Sequence, residues 1–130
     1  MTHKKSDIEN REDLMMLVRQ FYHKLLADPS ISYIFTDIAR IDPEQHFPVL
    51  VDFWDMVLFQ HDTYRKNAMQ VHLDLNQETP LMKAHFDTWL KYFSEAVDEL
   101  FEGEKAFLAK QRALSIATAM QIKIIQQKNL

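Results

Sequence analysis

Imidazole side chains offer the widest range of chemistry in this sequence, because they bind metal ions and transfer protons near neutral pH. The chain has six of them: His3, His23, His46, His61, His72 and His85. None belongs to an H-E-x-x-H motif and no glutamate lies three residues before a histidine, so zinc-protease and di-iron helix motifs are missing. No two histidines lie three or four residues apart, so no single helix offers a chelating pair. Without a cysteine or a Gly-x-Ser-x-Gly motif, nucleophilic hydrolysis also lacks support.

Two of the histidines, His46 and His72, remain as candidates for a shared site on two separate predicted helices. A flat metal cofactor held between those helices would have one axial histidine on each side. The chain also has nine phenylalanines, seven methionines and two tryptophans. Such large apolar residues could line a porphyrin slot or could simply form the core, and the spacing alone leaves both interpretations open.

Composition bounds the class of protein. The 130 residues suit a single domain over residues 1–130, with residues 1–10 expected to form a flexible N-terminal segment. Fifteen basic and nineteen acidic residues give a net charge of −4, which argues against nucleic acid as a partner. With no cysteine, disulfides, Fe–S clusters and covalent haem attachment through C-x-x-C-H are excluded.

The N-terminal residues contain no apolar signal-peptide region, and no apolar run reaches the ~18 residues of a membrane span. We therefore expect a soluble cytoplasmic protein without a membrane partner. The chain has one glycine, Gly103, so hairpin turns that need a positive φ are poorly supplied, and an all-α fold is predicted.

Periodicity and capping signals place the elements that carry the histidines. Ser6 and Glu9 have capping-box spacing, Asp42-Pro43 and Thr79-Pro80 are helix starts, and Gly103 ends a helix. The predicted helices run over residues 11–27, 31–35, 43–59, about 68–75, from 80 to Gly103, and 104–127. On the third of these, His46, Leu50, Phe53 and Val57 share one helical face.

Linked motifs in chain order resemble those of the group III truncated haemoglobins of the globin superfamily. They are Phe21-Tyr22, Tyr33-Ile34-Phe35, His46 followed by Phe53-Trp54, Tyr64 followed by His72-Leu73, His85-Phe86-x-x-Trp89-Leu90, and Gln111-Arg112-Ala113. The resemblance covers about residues 14–120 and implies a truncated globin with a two-over-two helical sandwich that binds haem b non-covalently. One departure precedes His72: the family often has x-Gly-x-Pro where this chain has Arg65-Lys66-Asn67-Ala68.

The resemblance also implies roles for individual residues. His72 is expected to be the proximal iron ligand, oriented by a hydrogen bond from its other ring nitrogen. The distal ligand pocket is expected to contain Tyr22, His46, Leu50 and Trp89. Further haem contacts are expected from Phe35, Phe53, Tyr64, Arg65 and Phe86, with Tyr64 and Arg65 near the propionates.

A polar distal pocket predicts binding of oxygen and other diatomic ligands. Two further functions stay open at this point. One is a haem enzyme for nitric oxide dioxygenation or peroxide turnover; since the chain has no flavin or nicotinamide domain, its reductase would be a separate protein. The other is a cofactor-free helical interaction module.

Overall fold

The computed structural model describes residues 5–128, which form six α-helices, a π-helical turn and no strand. The elements are α1 (Arg11–Leu26), α2 (Pro29–Tyr33), the π-helical turn (Ile34–Ile38), α3 (Pro43–Phe59), α4 (Ala68–Glu78), α5 (Lys83–Leu100) and α6 (Glu104–Lys128). The all-α prediction is confirmed. Over these residues, no helix combines the length and the apolar character that crossing a membrane requires.

Two helices begin at an aspartate followed by a proline, and both starts follow from the local sequence. The Asp28 carboxylate accepts a hydrogen bond from the Ser30 N–H at 2.9 Å where α2 begins. The Asp42 carboxylate accepts one from the Glu44 N–H at 3.2 Å where α3 begins. The proline then occupies the first helical position, whose N–H has no partner within the helix. The predicted bounds of α3 are therefore confirmed.

The predicted capping box at Ser6 and Glu9 is wrong as a helix start. The N-cap of α1 is Asn10, whose side chain accepts a hydrogen bond from the Asp13 N–H at 2.9 Å. The carbonyl of Ser6 instead accepts a hydrogen bond from the Glu102 N–H at 3.0 Å. A long-range backbone contact therefore takes this residue out of helical geometry.

The predicted helix start at Thr79-Pro80 is also wrong, because α5 begins only after Met82, its N-cap. The Asn76 side chain accepts a hydrogen bond from the Leu81 N–H at 2.9 Å. This bond ties the segment between α4 and α5 to the end of α4, so Pro80 lies before the helix and does not start it.

The N-terminal segment differs from the expected flexible chain in the part that the structure describes. The Asp7 carboxylate accepts hydrogen bonds from the N–H groups of Lys105 and Ala106, each at 2.8 Å, at the start of α6. The neighbouring Ile8 is buried in the core. Residues 6–8 are thus held by contacts that lie far away in sequence, and residues 1–4 lie outside the described part.

The helices stack as two pairs. α1 packs against α3, α5 packs against α6, and contacts between α1 and α5 join the pairs into the predicted two-over-two sandwich. α4 packs against α6 and, within residues 5–128, is not packed extensively against α3. The core is divided accordingly. A large cluster is centred on α1, α3 and α5, and a small one consists of Phe86, Ala117, Met120 and Ile124.

Candidate functional site

His72 lies on α4, and its ring is held by its own helix. The Asn67 side chain caps α4 by accepting a hydrogen bond from the Gln70 N–H at 3.0 Å. One turn further on, Nδ1 of His72 lies 2.8 Å from the carbonyl oxygen of Ala68. A carbonyl only accepts, so Nδ1 carries the proton and Nε2 keeps a free lone pair. The predicted orienting hydrogen bond is therefore confirmed.

The protonation of His72 also suits a metal ligand. Burial lowers the pKa of His72, and the hydrogen bond to Ala68 opposes that effect only in part. The imidazole is therefore neutral near pH 7. Nε2 makes no hydrogen bond to any residue that the structure describes.

α3 and α4 do not pack extensively on each other among the described residues, and we call the space between these two helices the slot. The stripe of His46, Leu50, Phe53 and Val57 is only half-buried, whereas the adjacent face of α3 enters the core. No residue of α4 is fully buried, although this helix also presents apolar side chains. Two apolar helix faces are thus left incompletely covered on either side of one slot.

His46 lies on α3 and His72 lies on α4. Burial is the main cause that lowers the pKa of His46, and the positive charge of Lys66 and the His72 imidazole lower it further. That these two histidines share one site stays a prediction.

Tyr22 shares a hydrogen bond with His46 on the α3 side of the slot. Its hydroxyl lies 3.0 Å from His46 Nε2, and its ring makes edge contacts with Phe35 and Phe47, at centroid distances of 5.4 Å each. Burial strongly raises the pKa of Tyr22, so the hydroxyl stays protonated over the physiological range. It is therefore a permanent hydrogen-bond donor.

Trp89 lies between the two core clusters and packs against both. Its ring stacks on Phe93 at a centroid distance of 5.8 Å, and the ring of Trp54 also stacks on Phe93, at 4.8 Å. The half-buried indole N–H makes no hydrogen bond within the described part of the chain. Trp89 thus combines a rigidly packed ring with a free donor.

The loop before α4 forms one edge of the slot. Tyr64 makes an edge contact with Phe53 at 5.3 Å, and burial raises the pKa of its hydroxyl. Arg65 is exposed, and its guanidinium donates a hydrogen bond to the Asp62 carboxylate at 2.8 Å. The expected propionate contact of Arg65 stays a prediction. Lys66 is the cation of this loop whose charge reaches His46.

The comparisons identify the family to which this arrangement belongs. The group 3 truncated haemoglobin of Campylobacter jejuni is 30% identical over 115 residues, which cover 86% of this chain and 88% of that relative. The chain belongs to the group III truncated haemoglobins. The crystal structure of group III truncated haemoglobin from Campylobacter jejuni superposes with a TM-score of 0.82 at 28% identity, covering 92% of this chain and 94% of that one. No protein-family model matches the chain.

The remaining predicted haem contacts of this truncated haemoglobin lie in or against the two core clusters. Leu50 and Phe35 are half-buried against the large cluster. Phe86 is buried in the small cluster with Met120. The contact of these residues with a cofactor stays a prediction.

The sequence analysis gave His85 no role beyond packing, but this residue links two parts of the truncated haemoglobin. Its Nδ1 accepts a hydrogen bond from the Met82 N–H at 2.9 Å, so Nε2 carries the proton when the ring is neutral. Nε2 lies 3.1 Å from the Tyr33 hydroxyl. A histidine three residues after an N-cap could have indicated this capping role.

The three other histidines were expected at the surface. His23 is exposed, as predicted, and His3 lies outside the described residues. His61 is exposed too, yet its Nδ1 lies 2.9 Å from the buried Asp55 carboxylate. No local pattern indicates that pair, because Asp55 lies on α3 and His61 lies in the loop that follows it.

Proposed function

We propose that this truncated haemoglobin binds haem b non-covalently in the slot between α3 and α4, with His72 Nε2 as the ligand of the iron. The observation that carries the proposal is the hydrogen bond from His72 Nδ1 to Ala68, which leaves a neutral Nε2 directed away from its own helix. The incompletely covered apolar faces of α3 and α4 suit a flat apolar group. The residues present therefore fit a haem.

When bound, the haem held by His72 would supply an iron atom that takes oxygen or another diatomic ligand. The chain would then act on that ligand from the α3 side. The Tyr22 hydroxyl and the Trp89 indole N–H are its two strongest candidates for donors, and His46 is positioned by Tyr22. His72 keeps its orientation through Ala68.

Two hydrogen-bond donors would strongly lengthen the time for which a partly charged ligand stays bound. A hydrogen bond to a charged group contributes about 1.5–3 kcal/mol. Two such bonds would slow release by about two orders of magnitude or more, because ~1.4 kcal/mol corresponds to tenfold. Slow release favours sensing or chemistry at the iron over bulk oxygen delivery.

A second candidate function is nitric oxide dioxygenation or peroxide turnover, with electrons from a separate reductase. The observation in its favour is the Tyr22–His46 pair, because His46 is half-buried and Tyr22 is fully buried. A proton taken up by His46 from solvent could thus reach the pocket. Turnover of nitric oxide and of hydrogen peroxide by the purified protein tests this candidate. A cytoplasmic location suits either function.

The deciding experiment is the absorption spectrum of the recombinant protein with haem added. The wild type should show a Soret band, and His72→Ala should lose it or retain haem poorly. His23→Ala is the matched control, since His23 is exposed and lies on α1. An unchanged spectrum in His72→Ala would overturn the proposed ligand, and a colourless wild type would favour a cofactor-free interaction module.

A further inference from the structure

Asp55 is the one charged residue with a fully buried side chain among residues 5–127, with 2% of its surface exposed. It lies on α3, on the side that faces α1 and the loop after α3. A buried carboxylate is costly unless several donors surround it. Its donors therefore show which parts of the chain it holds together.

Three side chains surround the carboxylate, and together they form the Asp55 cluster. Arg11 Nη1 on α1 donates to Oδ2 at 3.2 Å. His61 Nδ1 lies 2.9 Å from Oδ1, and the Thr63 hydroxyl lies 3.3 Å from Oδ2. The Thr63 hydroxyl has a single proton and lies closer to the carbonyl oxygen of Asp52, at 3.0 Å, so that carbonyl is its acceptor. Asp55 therefore holds the loop of residues 60–67 through His61.

The start of that loop is also held in place. Gln60 adopts a left-handed conformation with φ of 62°, and its N–H donates to the Met56 carbonyl at 2.9 Å. Lys105 Nζ on α6 donates to the Leu58 carbonyl at 3.0 Å, at the end of α3. The loop therefore leaves α3 in a defined direction, and its early residues His61 and Thr63 lie next to Asp55.

The loop leads directly into α4. Its last residue, Asn67, is the N-cap of α4, and its side chain fixes the first turn of the helix that carries His72. α4 has no fully buried residue and does not pack extensively on α3 within the described part of the chain. On the α3 side, the connection through the loop is therefore the main constraint on where α4 lies.

We propose that Asp55 is a positioning residue for the iron ligand: by holding His61, it sets the distance of α4, and hence of His72, from α3. The inference rests on the proposed haem function of His72. A role in global stability alone would depend on the contact of Asp55 with Arg11 on α1. The proposed positioning role depends instead on its contact with the loop.

The test uses the haem-loaded full chain with two substitutions. Asp55→Asn keeps the shape of the side chain but removes its charge and one acceptor. His61→Ala removes the loop's shortest contact with the Asp55 carboxylate, at an exposed position. Both should speed transfer of haem to apomyoglobin by about 10- to 100-fold, the usual effect of losing a residue that supports a metal ligand. Both should also shift or broaden the iron–histidine stretching band in the resonance Raman spectrum.

Asp52→Asn is the matched control on the same helix. The Asp52 carboxylate binds Arg11 Nη2 at 2.6 Å, whereas Thr63 contacts only its backbone carbonyl. This control therefore weakens the contact to α1 and leaves the loop contacts intact. Its haem transfer rate and stretching band should match those of the wild type.

A second measurement needs no haem. In the apoprotein, hydrogen exchange of the amides in residues 60–72 should be faster in Asp55→Asn and His61→Ala than in the wild type and in Asp52→Asn. If Asp55→Asn does not fold, His61→Ala decides alone. Wild-type haem loss, stretching band and exchange in His61→Ala would overturn the positioning role while the haem function stands. A wild type that takes up no haem would instead overturn the proposed function, and the exchange data would still report on the loop.

Discussion

The Tyr22 hydroxyl lies 3.0 Å from His46 Nε2, and this contact joins α1 to α3. Tyr22 is fully buried and its pKa is strongly raised by that burial, so its hydroxyl stays protonated at all physiological pH values. His46 is only half-buried. The pair therefore connects a buried donor to a residue that still faces solvent.

Removing the Tyr22 hydroxyl should speed oxygen release. In Tyr22→Phe, the oxygen dissociation rate measured by stopped flow is expected to rise by about 10- to 100-fold, because a hydrogen bond of ~1.5–3 kcal/mol to a charged group is lost. Tyr33→Phe is the control, since the Tyr33 hydroxyl contacts His85 instead. Equal rates in Tyr22→Phe and the wild type would contradict the donor role.

Trp89 should act through its indole N–H rather than through its ring. Trp89→Phe keeps an aromatic ring next to Phe93 but removes the donor. Oxygen dissociation is expected to be about tenfold faster or more, with little change in the melting temperature of the apoprotein. A lower melting temperature with an unchanged dissociation rate would show that Trp89 serves packing alone.

Asp7 should make stability depend on pH in the acid range. Burial by itself raises the pKa of Asp7, but the hydrogen bonds from the Lys105, Ala106 and Ile8 N–H groups outweigh it, and the pKa is lowered in the folded state. A lowered carboxyl pKa stabilises the fold above the unfolded value of about 3.9, and this contribution is lost as the pH falls through the folded pKa.

The corresponding measurement compares wild type and Asp7→Ala by urea unfolding between pH 7 and pH 2.5. At pH 7 the variant is expected to lose about 0.5–2 kcal/mol, the usual effect of removing a helix cap. The difference should shrink below about pH 4. Glu9→Gln, at an exposed position, should show neither effect. A difference that stays constant with pH would contradict a charged cap.

Gly103 should not tolerate a side chain. Its φ is 143°, and an added Cβ would lie 2.6 Å from Asp7 Cγ. Gly103→Ala is therefore expected to lower the free energy of unfolding by about 1–3 kcal/mol, through backbone strain and displacement of the Asp7 cap. In the Asp7→Ala background the cost should be smaller, because no cap is left to displace. An equal cost of Gly103→Ala in the wild type and in the Asp7→Ala background would show that the two residues act independently.

The sequence by itself determined the helical class and several element bounds. The Asp42-Pro43 start depends only on neighbouring residues, because a cap and a proline act on the first turn of the same helix. The hydrogen bond from His72 to Ala68 also lies within one helix and could be expected locally. The linked motifs then pointed to the truncated haemoglobins, and the relative from Campylobacter jejuni confirmed that family.

Only the tertiary structure decided which residues support the site. Asp7 caps α6 from 98 and 99 residues away, and Arg11 reaches Asp55 across 44 residues, so no periodicity or short motif could indicate either contact. Lys66, in the loop before α4, is a further case, because its positive charge lowers the pKa of His46 on α3 and the spacing of the two residues does not indicate that relationship. Local sequence determines where helices begin, whereas long-range packing decides which polar side chains meet, because that depends on how the finished helices are placed in space.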